Sequence, residues 1–410
     1  MNKYNTKKRF FELNLVKHPI KNIDFMLNIK NTNILGIYEY KKYIGFYLKS
    51  NTRLTLCKVC NNTIKRNKGY NTIYLNYANI NNKIVLVKIK LKKFYCFNCR
   101  STTIEKLIDR NGKNQSTNSI IKAIIDDLKT DSTYTAVSNR YNESITNIIK
   151  RFDIYSKQFK NKEKININAI GVDEVSMIKT TNNKYQFVVI DHNTSNIVDI
   201  IDGRKKQEVL NLIEKRYSNV NYVSMDLWKT YKDAFSNTFP NITVIADRFH
   251  VVRTFMWAFS RARIALFKQH NIGTTKYWKI LTCRENKLND KGKEKLNILL
   301  NTIPNLKELH KAKEMAFEVF SHQSVDEFKY KLKKLKEYVY NHNLDEYYVT
   351  LKTVDYWYKE ICNMFKYRQY SNGKSERINT SLKRMKSLAY GFRNIDRTFR
   401  LAKHKINKIS

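Results

Sequence analysis

Four of the six cysteines fall into two C-x-x-C pairs, Cys57 with Cys60 and Cys96 with Cys99. Four thiolates at this spacing can surround one Zn2+ tetrahedrally, whereas a redox dithiol needs a single pair and would leave the other unexplained. Cys57, Cys60, Cys96 and Cys99 are therefore expected to hold one structural zinc ion. Cys283 and Cys362 stand alone in helical surroundings and read as small buried apolar residues. Carboxylates supply a second chemistry. Asp173 ends the run NAIGVD, Asp226 ends NYVSMD, and Glu376 lies in SNGKSERINTSLKRMK, just after a Ser-Asn-Gly turn. Three converging carboxylates suit two Mg2+ or Mn2+ ions, hard cations that prefer oxygen. Such a pair serves phosphodiester displacement, at the attacking and the leaving oxygen. A carboxylate ending a strand is also a common turn or capping residue, so the elements that carry each acid must decide.

Hydrophobic patterning outlines those elements. Between the cysteine pairs, Tyr70 to Tyr77 and Lys83 to Tyr95 read as strands, the second alternating Val87, Ile89 and Leu91 with Lys88, Lys90 and Lys92. Two cysteine knuckles joined by such a hairpin make a zinc ribbon. Downstream, TAVSNRYNESITNIIKRF reads as a helix from Tyr134 to Tyr141, a turn at Asn142 and Glu143, and a second helix capped by Ser144. Ala136, Val137, Tyr141, Ile145, Ile148 and Ile149 are expected to pack. Thr146, Asn147, Lys150 and Arg151 stay outside, as on the recognition helix of a helix-turn-helix offered to a DNA major groove.

From Ile165 the pattern changes to three short strands with short polar connections at 179–184 and 193–195, so consecutive strands should be antiparallel. A helix (KQEVLNLIEKRY), a fourth strand, a helix to Phe239, a fifth strand (ITVIADRF) and a helix from His250 follow. The order βββαβαβα is that of an RNase H-like sheet, whose first and fourth strands are neighbours and would set Asp173 beside Asp226. Glu376 would come from a helix predicted over Ser375 to Lys386. Asn379 and Lys383 share its face, so the lysine could grip DNA phosphate beside the reacting bond. Glu174 should face away from Asp173. Asp191, Asp199 and Asp202 read as turn residues. Asp247 and His250 are expected as accessory residues, because Asp247 ends the fifth strand, away from the fourth-strand position. From about 272 to 370 the pattern is helical, with Val325, Phe328, Leu332, Leu335 and Val339 three or four apart.

The expected organisation is an N-terminal segment (1–50), a zinc ribbon (51–105), a helix-turn-helix (106–160), the first part of an RNase H-like core (161–270), an all-helical insertion (271–370), and the rest of the core with a basic tail (371–410). The fold class is α/β. In the 410 residues, 77 Lys and Arg against 36 Asp and Glu give a net charge of +41, and 42% apolar content is ample for packed cores. That charge points to a polyanion without choosing among DNA, RNA and membrane. The excess of Asn, Ile and Lys could also follow from an AT-rich genome. No apolar run approaches the roughly 18–20 residues that span a bilayer. MNKYNTKKRFFELNLVKH lacks the apolar centre of a secretory signal. The expected location is a reducing cytoplasm.

Taken together, the two C-x-x-C pairs, IGVDEVSMIK, VSMDLWKTYKDAF, VIADRFHVVR and YSNGKSERINTSLKRMKSLAYGFRN resemble the ISL3 family of insertion-sequence transposases over nearly the whole chain. The resemblance implies a DDE transposase with Asp173, Asp226 and Glu376 as catalytic, Mg2+-binding acids and Asp247 with His250 as an accessory D-x-x-H signature. It implies binding to the terminal inverted repeats of a mobile element, a homo-oligomer on duplex DNA, metal-dependent strand cleavage and transfer of the 3′-OH into target DNA. A non-catalytic regulator derived from a transposase, or an RNase H-like nuclease, is the alternative.

Overall fold

The computed structural model describes residues 17–18, 29, 31–51, 56–64, 66–107, 110, 116–159, 165–177, 183, 185–321, 324–389 and 394–407. Most of the expected 179–184 connection and residues 390–393, which include the YGFR of the C-terminal motif, lie outside them. The chain divides into two compact units, 1–160 and 161–410.

The first unit contains strands β1 (Lys17–His18), β2 (Thr32–Tyr40), β3 (Tyr43–Ser50), β4 (Arg66–Asn76), β5 (Ile84–Tyr95) and β6 (Thr102–Ile104). They form one sheet in the order β1-β2-β3-β5-β4, with β6 also on β5. The described strands of the expected 1–50 segment therefore do not stand apart from the hairpin that follows, because β3 pairs in parallel with β5, Tyr43 opposite Ile84 through Lys49 opposite Lys90. Val87, Ile89 and Leu91 are buried against Phe46, Leu48 and Leu75. Lys88 and Lys90 lie over the Tyr47 ring, at 4.9 and 5.2 Å. Three helices follow, α1 (Asn118–Asp127), α2 (Tyr134–Tyr141) and α3 (Ile145–Tyr155). Asn142, left-handed at φ 52°, ends α2, and the Ser144 hydroxyl accepts from Asn147 N–H to start α3. Val137, Tyr141, Ile148 and Phe152 are buried, but Ala136 and Ile145 are exposed, contrary to the expected packed face. Asn79 ties this layer to the β4–β5 hairpin by donating to the carbonyls of Arg140 and Asn139, both at 2.8 Å.

The second unit opens with β7 (Ile165–Asn166), β8 (Ala169–Val175), β9 (Gln186–Asp191), β10 (Ile197–Asp202), α4 (Lys206–Arg216), β11 (Tyr217–Ser218), β12 (Tyr222–Met225), α5 (Lys229–Thr238), β13 (Thr243–Ala246) and α6 (Arg248–Gln269). Its five-stranded sheet has the order β10-β9-β8-β12-β13. The β9–β10 turn is short, closed by Asp191, which accepts from Asn193 N–H and the Thr194 hydroxyl, so those strands run antiparallel. Helical crossovers leave β8, β12 and β13 parallel. Asp199 is not a turn residue: it is buried in β10 and bound by Arg216, Lys403 and the Tyr217 hydroxyl.

Helices α7 (Trp278–Thr282), α8 (Asp290–Thr302), α9 (Leu306–Val319), α10 (Val325–Asn341), α11 (Asp345–Tyr356) and α12 (Tyr358–Lys366) precede α13 (Gly373–Leu388) and α14 (Ile395–Ile406). The helical stretch shares one hydrophobic core with the sheet. Phe320, Phe328 and Phe365 pack in series with tilted rings, and the Asn363 amide donates to the Val244 carbonyl of edge strand β13 at 2.9 Å. Phe328, Leu332, Leu335 and Val339 are the buried face of α10. Cys362 is buried, but Cys283 is partly exposed.

Candidate active site

Parallel register places the acids. Ser224 of β12 pairs with Gly171 of β8, and Met225 pairs with Ala246 of β13. Continuing those registers sets Asp226 level with both Asp173 and Asp247, three aspartates side by side. Asp173 does not close its strand, since β8 runs on to Val175. Asp247 is not remote from the fourth strand, because β13 is the immediate neighbour of β12. It caps α6, accepting from Phe249 N–H at 3.0 Å. One turn later His250 presents Nδ1 to Asp226 and, at 3.1 Å, to Asp247. Burial opposes a charge on His250, but pairing with the two carboxylates outweighs it and raises its pKa to about 9. His250 is thus an imidazolium at neutral pH, joined to the centre of the acid row.

Asp173 is pushed the other way. Burial, then the charge of Asp226, raises its carboxyl to about 7. Its oxygens accept from Glu174 N–H at 2.7 Å and from the Asn379 amide at 2.6 Å. Glu174, expected to face away from Asp173, is bound by Arg204 at 2.8 Å and the Tyr231 hydroxyl at 2.7 Å and lines the same cavity as Asp173.

Helix α13 lies close over β8 because position 171 is glycine: a Cβ there would stand 2.9 Å from the Ser375 hydroxyl. The turn before α13 is held by Asn372, which accepts from the Ser224 hydroxyl and donates to Asp247, each at 3.4 Å. Ser224 also contacts buried His192 at 2.8 Å. This anchoring presents exposed Glu376 and Lys383 to a cavity of about 590 Å3 that Asp173, Asp226, Asp247 and His250 also line. Asn379, expected on DNA, is buried and spent on Asp173. Lys386 donates to the Ser176 carbonyl at 2.8 Å, and Arg400 pairs with Asp396, so neither is a loose surface charge. Gly171, Ser224 and Asn372 were not singled out in the sequence; only the Ser-Asn-Gly turn before Glu376 hinted at one of them.

The residues fit divalent cations. Asp226, Asp247 and His250 bring ligand atoms within 4.8 Å of one another, and no Lys or Arg is paired with Asp173 or Asp226 among the described residues. Crowded carboxylate oxygens of this kind suit hard metals.

In the first unit the four cysteine sulfurs lie within 4.8 Å of one another. Cys57–Cys99 and Cys60–Cys96 sulfur separations are 3.6 and 3.5 Å, near the ~3.8 Å edge of a tetrahedron with ~2.3 Å Zn–S bonds. Backbone N–H groups of Cys60 and Val59 lower the Cys57 thiol to about 6, whereas, against the Cys99 N–H, burial and the Cys60 sulfur raise Cys96 to about 11. On α3, Thr146, Asn147 and Lys150 are exposed. Arg151 is not: its guanidinium makes two bonds of 2.7 and 2.8 Å to Glu143, a buried carboxylate that also accepts from Ser116.

A family model described as a transposase of the ISL3 type matches residues 170–402, more than half of the chain. No curated protein matches it. No described helix is long and apolar enough to cross a membrane.

Proposed function

The chain belongs to the ISL3 transposase family, and we propose that it is a DDE transposase acting through Asp173, Asp226 and Glu376 on the ends of an insertion sequence. What carries the reading is that these acids, from β8, the end of β12 and the first turn of α13, line one cavity. Three antiparallel strands followed by two parallel ones accord with an RNase H-like core.

Asp173, Asp226 and Glu376, with Asp247 beside them, would hold Mg2+ or Mn2+, which supplies activation of an attacking oxygen and charge neutralisation at the leaving oxygen. The protein's own groups do the positioning. Asn379 fixes the Asp173 carboxylate, and His250 locks Asp226 to Asp247. Asn372 ties the turn carrying Glu376 to Asp247. Lys383, exposed in the cavity, is placed to hold the phosphate next to the cut. Hydrolysis joins water oxygen to phosphorus and releases a 3′-OH. That hydroxyl then attacks a target phosphodiester and displaces its 3′ oxygen. No bond to the protein forms, so the tyrosines need no nucleophilic role.

Cys57, Cys60, Cys96 and Cys99 would hold Zn2+ in a ribbon that, with a helix-turn-helix formed by α2 and α3, binds the terminal repeats. Thr146, Asn147 and Lys150 face the groove, and an oligomer pairs two ends. The test is a labelled duplex carrying the inverted repeat that flanks the reading frame, incubated with Mg2+ and a target plasmid. Strand cleavage and joining are expected. Binding without cleavage would identify a regulator, and cleavage without joining a nuclease.

A further inference from the structure

The walls of the carboxylate cavity carry aromatic–guanidinium stacks that cleavage chemistry does not use. Arg204 lies 4.8 Å from the ring centres of both Tyr185 and Trp228. Its guanidinium is bonded to Glu174, which the Tyr231 hydroxyl also holds, so the stack is braced from below. Arg253, which lines the same cavity, lies over Phe249 at 5.5 Å and Trp257 at 4.8 Å. Trp228 is 41% exposed and Phe249 54%, and both line the same cavity as Asp173, Asp226 and Glu376. Large rings left open beside a charged site ask for a ligand with a π face.

Resting on the function proposed above, we propose that the cavity receives an unstacked nucleobase of the strand being cut, laid on the exposed face of Trp228 beside the phosphate held at the carboxylates. Arg204 already gives a guanidinium N–H to Glu174 and lies against two rings, so the surface on offer to a ligand is the exposed part of the indole. Every base has a π face, so such a platform is sequence-tolerant. A cavity of about 590 Å3 is of the size that encloses small organic groups. Its acids and guanidinium groups do not suit a lipid or an apolar peptide. Bracing Arg204 in advance also lowers the ordering cost of binding. The base must leave its duplex neighbours, which is easiest where pairing is already lost.

The test compares wild type with Trp228→Ala, Trp228→Leu and Trp228→Phe on the labelled end duplex in Mg2+. The duplex is used fully paired, and with a single mismatch at either nucleotide flanking the cleaved phosphate. On paired DNA the Ala and Leu variants should cut about 10- to 100-fold more slowly, and Phe within a few-fold of wild type. One of the mismatches should restore Ala and Leu to within a few-fold of wild type, because the unstacking is then already done. Leu keeps the bulk, and its melting curve shows whether folding is intact. A Leu variant that cuts paired DNA like wild type overturns the inference, as does an equal loss on paired and mismatched duplexes. A wild-type protein that cuts none of these duplexes overturns the proposed function and this inference with it.

Discussion

Replacing Asp173 by Asn is expected to stabilise the metal-free protein while abolishing cleavage. The Asp173 carboxyl is raised from 3.8 to about 7 by burial and the nearby Asp226 charge. Below about pH 4 the group is neutral in both folded and unfolded chains, so it has no effect on folding. As pH rises the unfolded chain ionises first, the folded one stays protonated, and the cost of folding grows until pH passes about 7. At ~1.4 kcal/mol per pH unit the full cost is about 4 kcal/mol, present at pH 8. Asn removes that term and keeps the contacts. Its oxygen still accepts from Glu174 N–H, and if the Asn379 amide rotates, the new NH2 can donate to the Asn379 oxygen, which has no partner now. Allowing for relaxation, about 2–4 kcal/mol should appear at pH 8, each worth about 2–4 °C in a unit of this size. The assay is thermal unfolding of wild type and variant with EDTA between pH 5 and 8. Mg2+ added at pH 8 should narrow the gap by stabilising wild type. A variant less stable than wild type at pH 8, or a gap that does not grow with pH, would refute the repulsion argument.

Arg151→Ala should cost the first unit about 3–5 kcal/mol in denaturant unfolding, because Glu143, 1% exposed, would keep a buried charge without its guanidinium. Lys150→Ala should leave stability unchanged and lower the salt dependence of DNA binding by about 0.9 log units per log unit of salt, the share of one phosphate. Gly171→Ala should push α13 off β8 through the 2.9 Å clash with Ser375, reducing the cleavage rate more than DNA affinity in a gel-shift comparison. Burial holds His310 down to about 4, so the folded protein resists protonating it. Its contribution is intact above about pH 6.5 and lost as pH falls toward 4, by up to about 3 kcal/mol. His310→Asn should flatten that part of the pH–stability curve.

Features set within one or two turns of chain were legible from sequence. The α2 helix ends where Asn142 can go left-handed, and α3 starts where Ser144 can cap it. The spacing of Phe328, Leu332, Leu335 and Val339 marks the buried face of α10 because the helical period alone sets it. Side-chain roles were less legible where the partner is distant. Arg151 and Lys150 look alike in sequence, and only a carboxylate eight residues away, itself buried, makes one of them structural. Asp199 resembles its neighbours Asp191 and Asp202 until residues 216, 217 and 403 close around it.

Residue types and their spacing along the chain set which chemistry it carries: paired thiols at metal spacing, acids at the ends of apolar runs, and a surplus of cations. Tertiary structure decided which acids meet. Sheet order puts β13 against β12, so Asp247 and His250 close on Asp226 rather than standing aside. The missing side chain of Gly171 lets α13 approach closely enough for Asn379, 206 residues on, to hold Asp173. Periodicity and capping are local properties of a chain, whereas strand order and helix approach depend on packing across the whole core.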